Sequence, residues 1–482
     1  MLGARAGLTP RGCRVHDATC GDYANPRVRE SRLPGTIQGS EVSALVITTR
    51  AFMRITATLA AVATLGGVAV SDDWPQWRGP NGDGVWREPG IMTGFGAPEI
   101  EPKWRAPIGP GYSGPTVTGG RVYVSDRIKD PVSKERIHCF DWETGERLWT
   151  YGYECAYGKV GYPAGPRASV TIHEGRAYSL GTVGHLVCVD AVSGKLLWAK
   201  QPGEDYRPRV PTWGLSGSPV VEGEVVIVQL GARDGACLMA FDKVTGEERW
   251  RAVDDVANYT TPIVIDQGQR RVVVCWTGTQ VAALNPPTGD VLWAVPFPPK
   301  NGPIGIATPV RRGPWLLVSS FYDGSLMLRV ADDEPGAQKA WHRLGASERA
   351  TEALHCLMST PIIDGDYVYG IDSYGALRCV DARTGHRLWS TQQVVPQARW
   401  AHAHLVRHAE RVWIFTDRGE LVICRLSPEG YEELSRARLI DPDAANPKRK
   451  GKGITWAHPA FAYRHVFARS DSELVCADLR AP

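Results

Sequence analysis

The sequence predicts an all-β fold, an eight-bladed β-propeller made of four-stranded antiparallel blades. Three observations lead to this prediction. One line of sequence recurs along the chain, and its tryptophans return every 43 to 52 residues, the length of one blade. Each copy divides into four short apolar alternations between glycine-containing turns. The 52 Gly and 35 Pro in 482 residues favour many short strands over long helices.

The recurring line is Asp-x-x-Thr-Gly-x-x-Leu-Trp, which predicts a tight turn followed by the outer strand of a blade. Asp can accept hydrogen bonds from the backbone that follows it, and Gly tolerates positive φ. The Trp then starts the outer strand, where we expect its ring to pack between blades and its N–H to reach a carbonyl. Clear copies end at Trp149, Trp198, Trp250, Trp293 and Trp389, and a fainter copy ends at Trp341.

The two ends of the repeat region predict how the ring closes. A degenerate seventh copy follows Trp389, and an eighth begins at His458 but stops before its outer strand. The missing strand is found at the other end, in PKWRAP around Trp104. An N-terminal strand joined to three C-terminal strands leaves no free sheet edge at the closure, so we predict eight blades.

The organisation of the chain is predicted as one propeller preceded by processing segments. Residues 1–52 are expected to be a non-native or disordered extension and residues 53–70 a signal peptide, with a membrane anchor as the alternative. The apolar run after Arg54 is shorter than a membrane-spanning helix needs. We predict that translation starts at Met53. Residues 71–102 form an N-terminal segment with the WPQWRGP motif, expected to dock against the side of the propeller and seal it, and residues 103–482 form the propeller.

Most cysteines are predicted to be packing residues. Cys139, Cys188, Cys379, Cys424 and Cys476 occupy one position of successive copies, where we expect inert buried thiols rather than disulfides or metal ligands. Cys275 lies in the strand pattern VVVCW and is expected in the core. For three others, which fall near loops, the sequence leaves disulfide pairing open: Cys155, Cys237 and Cys356.

The charge balance restricts the partners. With 55 basic and 52 acidic residues the net charge is +3, so no global field draws nucleic acid to the chain, and we expect none as a partner. We expect a monomer, with no membrane span in the mature chain, that meets a protein partner or a small ligand at a propeller face. The polar, basic run from Asp441 to Gly453 is expected to be a solvated loop, with contact to an acidic partner or lipid as the alternative.

The candidate site lies where each innermost strand begins, because those strands line the channel of a propeller. Aromatic rings, imidazoles and one guanidinium gathered there could hold a planar, sugar-like or anionic ligand. A grouping of His402, His404 and His458 is the one pattern that suggests a metal, but no metal, catalytic or cofactor-binding residue is predicted. The candidate ligand-binding residues are Tyr112, Arg167, Trp213, Tyr259, His355, Trp400, His402, Trp456 and His458.

The repeated Asp-x-x-Thr-Gly-x-x-Leu-Trp line and the opening WPQWRGPNGDG from Trp74 resemble the pyrroloquinoline-quinone-like propellers of bacteria over about residues 74–482. That resemblance implies the propeller fold. Its dehydrogenase members imply a quinone beneath adjacent disulfide-bonded cysteines, calcium held by Glu and Asn, and an Asp base; no two cysteines are adjacent here and no Cys-x-x-Cys-His is present. Its BamB members imply a lipid-bearing Cys after the signal, where this chain has Ser71-Asp72-Asp73.

The function predicted from these observations is a binding or scaffolding propeller in the cell envelope, periplasmic or extracellular once a signal peptide is removed, and without a catalytic site. Three alternatives stay open. The first is a quinone-dependent oxidoreductase of alcohols or sugars, which would need pyrroloquinoline quinone and calcium as cofactors. The second is a BamB-like outer-membrane protein assembly factor, and the third is a purely structural envelope component.

Overall fold

The fold is all-β throughout the part of the chain that the computed structural model describes, residues 72–444 and 453–482. The expected extension over 1–52, the expected signal peptide over 53–70 and most of the basic run after Asp441 lie outside the described residues. Within the described ranges no helix is long and apolar enough to cross a membrane.

The strands of the first half of the ring follow one another in chain order, four to a blade after the first strand. They are β1 (Trp104–Pro107); β2 (Thr116–Thr118), β3 (Arg121–Ile128), β4 (Lys134–Asp141) and β5 (Arg147–Glu154); β6 (Thr171–His173), β7 (Arg176–Leu180), β8 (Leu186–Asp190) and β9 (Leu196–Lys200); β10 (Val220–Glu222), β11 (Val225–Ala232), β12 (Ala236–Asp242) and β13 (Glu248–Ala252); and β14 (Ile263–Gln267), β15 (Arg270–Trp276), β16 (Gln280–Leu284) and β17 (Val291–Pro296).

The second half repeats the pattern until the last blade, which has three strands of its own. They are β18 (Val310–Arg312), β19 (Trp315–Ser320), β20 (Gly324–Val330) and β21 (Ala337–Arg343); β22 (Ile362–Asp364), β23 (Tyr367–Ile371), β24 (Leu377–Asp381) and β25 (Arg387–Thr391); β26 (Ala403–His408), β27 (Arg411–Thr416), β28 (Glu420–Ser427) and β29 (Gly430–Arg438); and β30 (Ala460–Ala462), β31 (His465–Arg469) and β32 (Glu473–Asp478).

Eight four-stranded antiparallel sheets result, and they confirm the predicted eight-bladed propeller. The blades are numbered in chain order, from blade 1 (β2–β5) to blade 7 (β26–β29), and blade 8 consists of β30, β31, β32 and β1. The closing sheet has the order β1-β32-β31-β30, so the strand around Trp104 completes the last blade as expected. Its register repeats that of the other blades: Trp104 lies opposite Cys476 just as Trp149 lies opposite Cys139 and Trp198 opposite Cys188. The small cysteine therefore makes room for the ring beside it.

The repeated turn has the predicted chemistry, shown here by the turn between β4 and β5. Asp141 Oδ1 accepts hydrogen bonds from the backbone N–H groups of Glu143 and Thr144, both at 2.9 Å, and Gly145 has a φ of +73°. A Cβ on Gly145 would lie 2.6 Å from the Trp104 ring of the preceding blade. Glycine is therefore required at position 145 for two reasons: the backbone has a positive φ, and the Trp104 ring leaves no room for a Cβ.

The repeated tryptophans join successive blades. Six of the seven rings donate the N–H to a backbone carbonyl of the next blade, which satisfies the polar atom of the side chain. Trp293 is the exception: it donates to the Gln267 side chain of its own blade, whose amide donates to the carbonyls of Ala331 and Gly336 in blade 5, which has no Asp-x-x-Thr-Gly turn. The regular donors and backbone acceptors are Trp104 to Trp142, Trp149 to Ala191, Trp198 to Lys243, Trp250 to Pro286, Trp341 to Ala382 and Trp389 to Ser427.

All nine cysteines of the described ranges are free and buried, including Cys155, Cys237 and Cys356. Burial raises the pKa of Cys139 to about 12 and that of Cys379 to about 11. These groups are therefore neutral thiols at physiological pH.

Candidate functional site

The connections that lead into the innermost strands converge at one mouth of the channel and enclose a cavity of ≈ 170 Å³, here called the mouth pocket. Its position follows from the fold, because the chain enters every innermost strand at the same end of the ring. The mouth pocket is lined by Trp77, Tyr112, Tyr162, Arg167, Trp213, Ser216, Ser218, Tyr259, Thr261, Ile306, Thr308, Leu357, Met358, Trp400, His404, Trp456 and His458.

The N-terminal segment lies inside the channel and supplies the floor of the mouth pocket. Trp74 pairs with Val117 on the free edge of β2, and the backbone around Val85 pairs with Arg407 on the free edge of β26. These two strands are innermost in their sheets, so the segment between them runs through the channel. The prediction that the WPQWRGP motif docks on the side of the propeller is therefore wrong, because the motif lies inside the channel.

Trp77 is the residue of that segment that reaches the mouth pocket. Its indole N–H donates a 2.8 Å hydrogen bond to the Thr308 hydroxyl, and its ring meets the edge of His458 with 4.2 Å between ring centroids. These contacts to blades 5 and 8 fix the ring between the innermost strands. The mouth pocket is therefore closed below by Trp77.

Aromatic rings in mutual contact form the upper wall. The Trp213 ring lies 6.4 Å from the Trp400 ring in an edge-to-face contact, and these residues precede the innermost strands of blades 3 and 7. Blades 3 and 7 are opposite one another in a ring of eight, so this contact crosses the mouth. Further contacts of 5.3–6.3 Å join Trp213 to Tyr259, Tyr162 to Trp400 and Trp456, and Tyr112 to Trp456.

Arg167 is the one charged group of the lining at neutral pH. Its Nη atoms donate to the backbone carbonyls of Gly161, Tyr162 and Gly165, and weakly to the Thr182 hydroxyl at 3.4 Å. No carboxylate of the described ranges lies within ion-pair distance of it. Burial lowers the pKa of Arg167 below its usual value, but a guanidinium keeps its proton at physiological pH.

The group behind Arg167 also carries an excess of positive charge. Glu135 is buried and accepts hydrogen bonds from the hydroxyls of Tyr153 and Tyr157, both at 2.5 Å. The guanidinium carbon of Arg127 lies 3.8 Å from the centre of the Tyr157 ring, and that of Arg167 lies 5.9 Å from it. Two guanidinium groups therefore share the neighbourhood of one carboxylate.

The two imidazoles of the lining are neutral at physiological pH. Burial lowers the pKa of His458 to about 4, and its Nε2 lies 2.7 Å from the Ser169 hydroxyl. Burial, with the neighbouring imidazoles of His402 and His458, holds the pKa of His404 well below its usual value. These two rings therefore contribute hydrogen-bonding atoms and flat surface but no charge.

Seven of the nine predicted site residues line the mouth pocket, and His355 and His402 do not. His355 is buried, with Nδ1 2.9 Å from the Phe321 carbonyl and Nε2 accepting from the Gly345 N–H. His402 lies behind the wall, where its Nε2 is 2.9 Å from the Thr455 carbonyl and its ring stacks at 5.3 Å on Trp456. The residues in the lining are Tyr112, Arg167, Trp213, Tyr259, Trp400, Trp456 and His458.

Sequence reasoning missed several lining residues. Trp77 comes from outside the repeat, so alignment of the copies could not place it, although two tryptophans in one short motif mark that motif as a packing element. Tyr162 comes from the long connection between β5 and β6, where its φ of +53° turns the chain. The remaining ones are small or aliphatic: Ser216, Ser218, Thr261, Ile306, Thr308, Leu357 and Met358.

The lining does not fit the calcium-held quinone that the family resemblance implies. Calcium takes six to eight oxygen ligands, with carboxylates prominent among them, and none of the described Asp, Glu or Asn residues lines the mouth pocket. In the described part of the chain no three His, Cys, Asp or Glu side chains gather closely enough to hold a metal ion. The adjacent cysteine pair is absent from the sequence as well.

Comparison with known proteins gives one family and two kinds of relative. The family model described as "Outer membrane protein assembly factor BamB" matches residues 133–391, more than half of the chain. The quinohemoprotein alcohol dehydrogenase of Comamonas testosteroni is 29% identical over 167 residues, which cover 34% of this chain and 22% of that protein. The 1-butanol dehydrogenase (cytochrome c) of Thauera butanivorans is 34% identical over 125 residues, covering 25% of this chain and 17% of that protein. This chain thus matches less than a quarter of the length of either.

Two solved structures share the fold at low sequence identity. BamB from Moraxella catarrhalis superposes with a TM-score of 0.53 at 15% identity, covering 79% of this chain and 99% of that one. The Comamonas testosteroni quinohemoprotein alcohol dehydrogenase gives a TM-score of 0.57 at 15% identity, covering 85% of this chain and 81% of that one. With eight blades, a shared repeat and a family match over more than half of its length, the chain belongs to the PQQ-repeat propeller family described as outer membrane protein assembly factor BamB.

Proposed function

We propose that this protein is an exported binding propeller whose mouth pocket holds a small, flat ligand. The observation that carries the proposal is the chain of aromatic rings across the mouth, in which Trp213 and Trp400 meet from opposite blades above the Trp77 floor. Flat apolar walls with a few fixed polar atoms are the usual make-up of a small-molecule site. Export is supported by the apolar run that follows Met53 and Arg54 in the sequence.

The cavity volume restricts the ligand to about one or two rings. A cavity of about 150 Å³ is large enough for benzene, and the mouth pocket has a volume of ≈ 170 Å³. A larger molecule would have to leave part of itself outside the mouth. The hydroxyls of Ser216, Ser218 and Thr261 can orient such a ligand but provide no base or nucleophile activated by a neighbour.

A titration of the purified chain with indole, indole-3-acetate, benzoate and benzamide, followed by tryptophan fluorescence and thermal melting, tests this proposal. We expect saturable quenching by at least one compound and a higher Tm, because a ligand that binds only the folded state stabilises it. Trp213→Ala and Trp400→Ala should each abolish the quenching. Trp142→Ala is the control, because that ring packs against Tyr463, outside the mouth pocket. No saturable signal from any compound at millimolar concentration would refute the proposal.

Quinone-dependent oxidation of an alcohol is the second candidate, favoured by the similarity to quinohemoprotein alcohol dehydrogenases. It predicts tight binding of pyrroloquinoline quinone that requires calcium, whereas the binding propeller predicts that calcium has no effect. Adding the quinone with and without calcium to the same titration separates the two. A calcium-dependent rise in Tm would favour the oxidoreductase and overturn the argument from the carboxylate-free lining.

A further inference from the structure

We infer that the mouth pocket selects a flat ring that carries a single carboxylate, and that Arg167 is the residue that selects it. This inference rests on the proposed function and deepens it by naming the charge class of the ligand. Its basis is a guanidinium in the lining that no carboxylate of the described ranges neutralises.

The hydrogen bonds of Arg167 leave one donor for a ligand. Its partners are neutral carbonyls and one hydroxyl, and within the described ranges all of them are reached through Nη1 and Nη2. These neutral acceptors satisfy the N–H groups of Arg167 but do not neutralise its positive charge. The remaining donor, Nε, makes none of the hydrogen bonds of Arg167 within the described ranges, and Arg167 lines the mouth pocket. Gly214 keeps its surroundings small, since the position that a Cβ on Gly214 would take lies 3.5 Å from Nε.

The surroundings of Arg167 favour a single negative charge. Arg127 and Arg167 lie near the carboxylate of Glu135, which accepts hydrogen bonds from its tyrosine partners, so these three groups together carry one net positive charge. His404 and His458 add no charge at neutral pH. A charge-assisted hydrogen bond from a buried guanidinium to a carboxylate is among the stronger protein interactions.

The shape of the mouth pocket explains why the proposed ligand carries a ring. The centre of the Tyr112 ring lies 4.8 Å from the Arg167 guanidinium carbon, and Tyr112 continues the aromatic wall to Trp456. A ligand with its carboxylate on Arg167 Nε would therefore lay its ring against that wall. With a volume of ≈ 170 Å³, the mouth pocket suits a one- or two-ring acid such as benzoate or indole-3-acetate.

The test compares each acid with its neutral amide on the unaltered protein. Indole-3-acetate should bind about 10- to 100-fold more tightly than indole-3-acetamide, and benzoate should exceed benzamide similarly, from the usual strength of a hydrogen bond between charged groups. If neither acid nor amide binds, the proposed function itself fails. If the amides bind as tightly as the acids, the mouth pocket binds rings but the charge selection is overturned.

Substitutions then assign the selection to Arg167. Arg167→Met should bring the ratio of acid to amide affinity close to one while the amide still binds, and Arg167→Lys should restore part of it. Lys159→Met is the matched control, since it removes one positive charge from an exposed position of the same connection and should leave the ratio unchanged. A ratio that stays high in Arg167→Met overturns the assignment. Should Arg167→Met fail to fold, the ratio in the unaltered protein and in Arg167→Lys still decides the inference.

Discussion

The contact between each repeated tryptophan and the glycine of the next blade gives the sharpest stability prediction. Gly246 has a φ of +74°, and a Cβ built on it would lie 2.7 Å from Cδ2 of Trp198. We predict that Gly246→Ala lowers the free energy of unfolding by about 2–5 kcal/mol. Of this, about 1–2 kcal/mol comes from the left-handed backbone and about 1–3 kcal/mol from overpacking against the ring.

Gly223→Ala separates the two costs within the same blade. Gly223 has a φ of +57°, but nothing lies within 4 Å of the position of its Cβ. Gly223→Ala should therefore lower the free energy of unfolding only by the cost of the left-handed backbone, about 1–2 kcal/mol. Equilibrium unfolding in urea, followed by circular dichroism, measures both. The two variants should differ by at least about 1 kcal/mol.

A double variant shows whether the ring is the cause. In a Trp198→Leu background the ring is gone, so Gly246→Ala should cost no more than Gly223→Ala does in the same background. An undiminished penalty in that background would show that the Trp–Gly contact does not explain the repeated glycine. Equal penalties in the original background would lead to the same conclusion.

Three further predictions follow from the described contacts. Trp77→Ala removes the floor of the mouth pocket and should weaken ligand binding at least tenfold in the fluorescence titration, whereas Trp74→Ala, which empties a site only 2% exposed, should mainly cost about 3–5 kcal/mol of stability in urea. Burial lowers the pKa of His458 from 6.5 to about 4, so its contribution to stability is complete above pH 6.5 and is lost as the pH falls towards 4, by about 3 kcal/mol. His458→Gln should flatten the dependence of unfolding free energy on pH in that window, and an unchanged slope would contradict the assignment. The nine buried cysteines should react with a thiol reagent only after denaturation, and fast reaction of the native protein at any of them would count against inert packing.

The blades could be predicted because packing acts in the same way at most of them. The turn glycine, the tryptophan and the small residue opposite it meet the same kinds of neighbour in most blades, so the same residue types recur at one period. Blade 5 departs from this pattern with Met327 opposite Trp341, and blade 7 with Glu433 opposite Cys424. That recurrence identified even the closing strand, where Trp104 and Cys476 are separated by almost the whole chain. No such signal existed for residues 74–85, because a segment that passes through the channel once has no copy with which to be compared.

The mouth pocket could be predicted as a region but not residue by residue. Its location follows from the blade alignment, which is why seven of the predicted residues lie in it. The orientation of a side chain in an irregular connection depends on backbone angles that the repeat does not specify. His355 and His402 illustrate this, since each turns away to reach backbone carbonyls. Tyr162 shows the opposite case, brought in by a positive φ that a tyrosine seldom adopts.

The weaker repetition at the mouth, compared with the outer strands, is itself an argument for binding. A ligand on the channel axis touches each blade once, so a binding site places no demand for the same residue on any two blades, whereas packing does. Most mouth positions behave in this way: Tyr112, Arg167 and Trp213 come from the connections before three successive blades and differ in size and charge. Trp-Ala-His at Trp400 and Trp456 is the exception, whereas an outer-strand tryptophan recurs in seven of the eight blades. Arg167 is the extreme case, because it places a charge, with no described carboxylate within ion-pair distance, where a packing role would favour an apolar side chain.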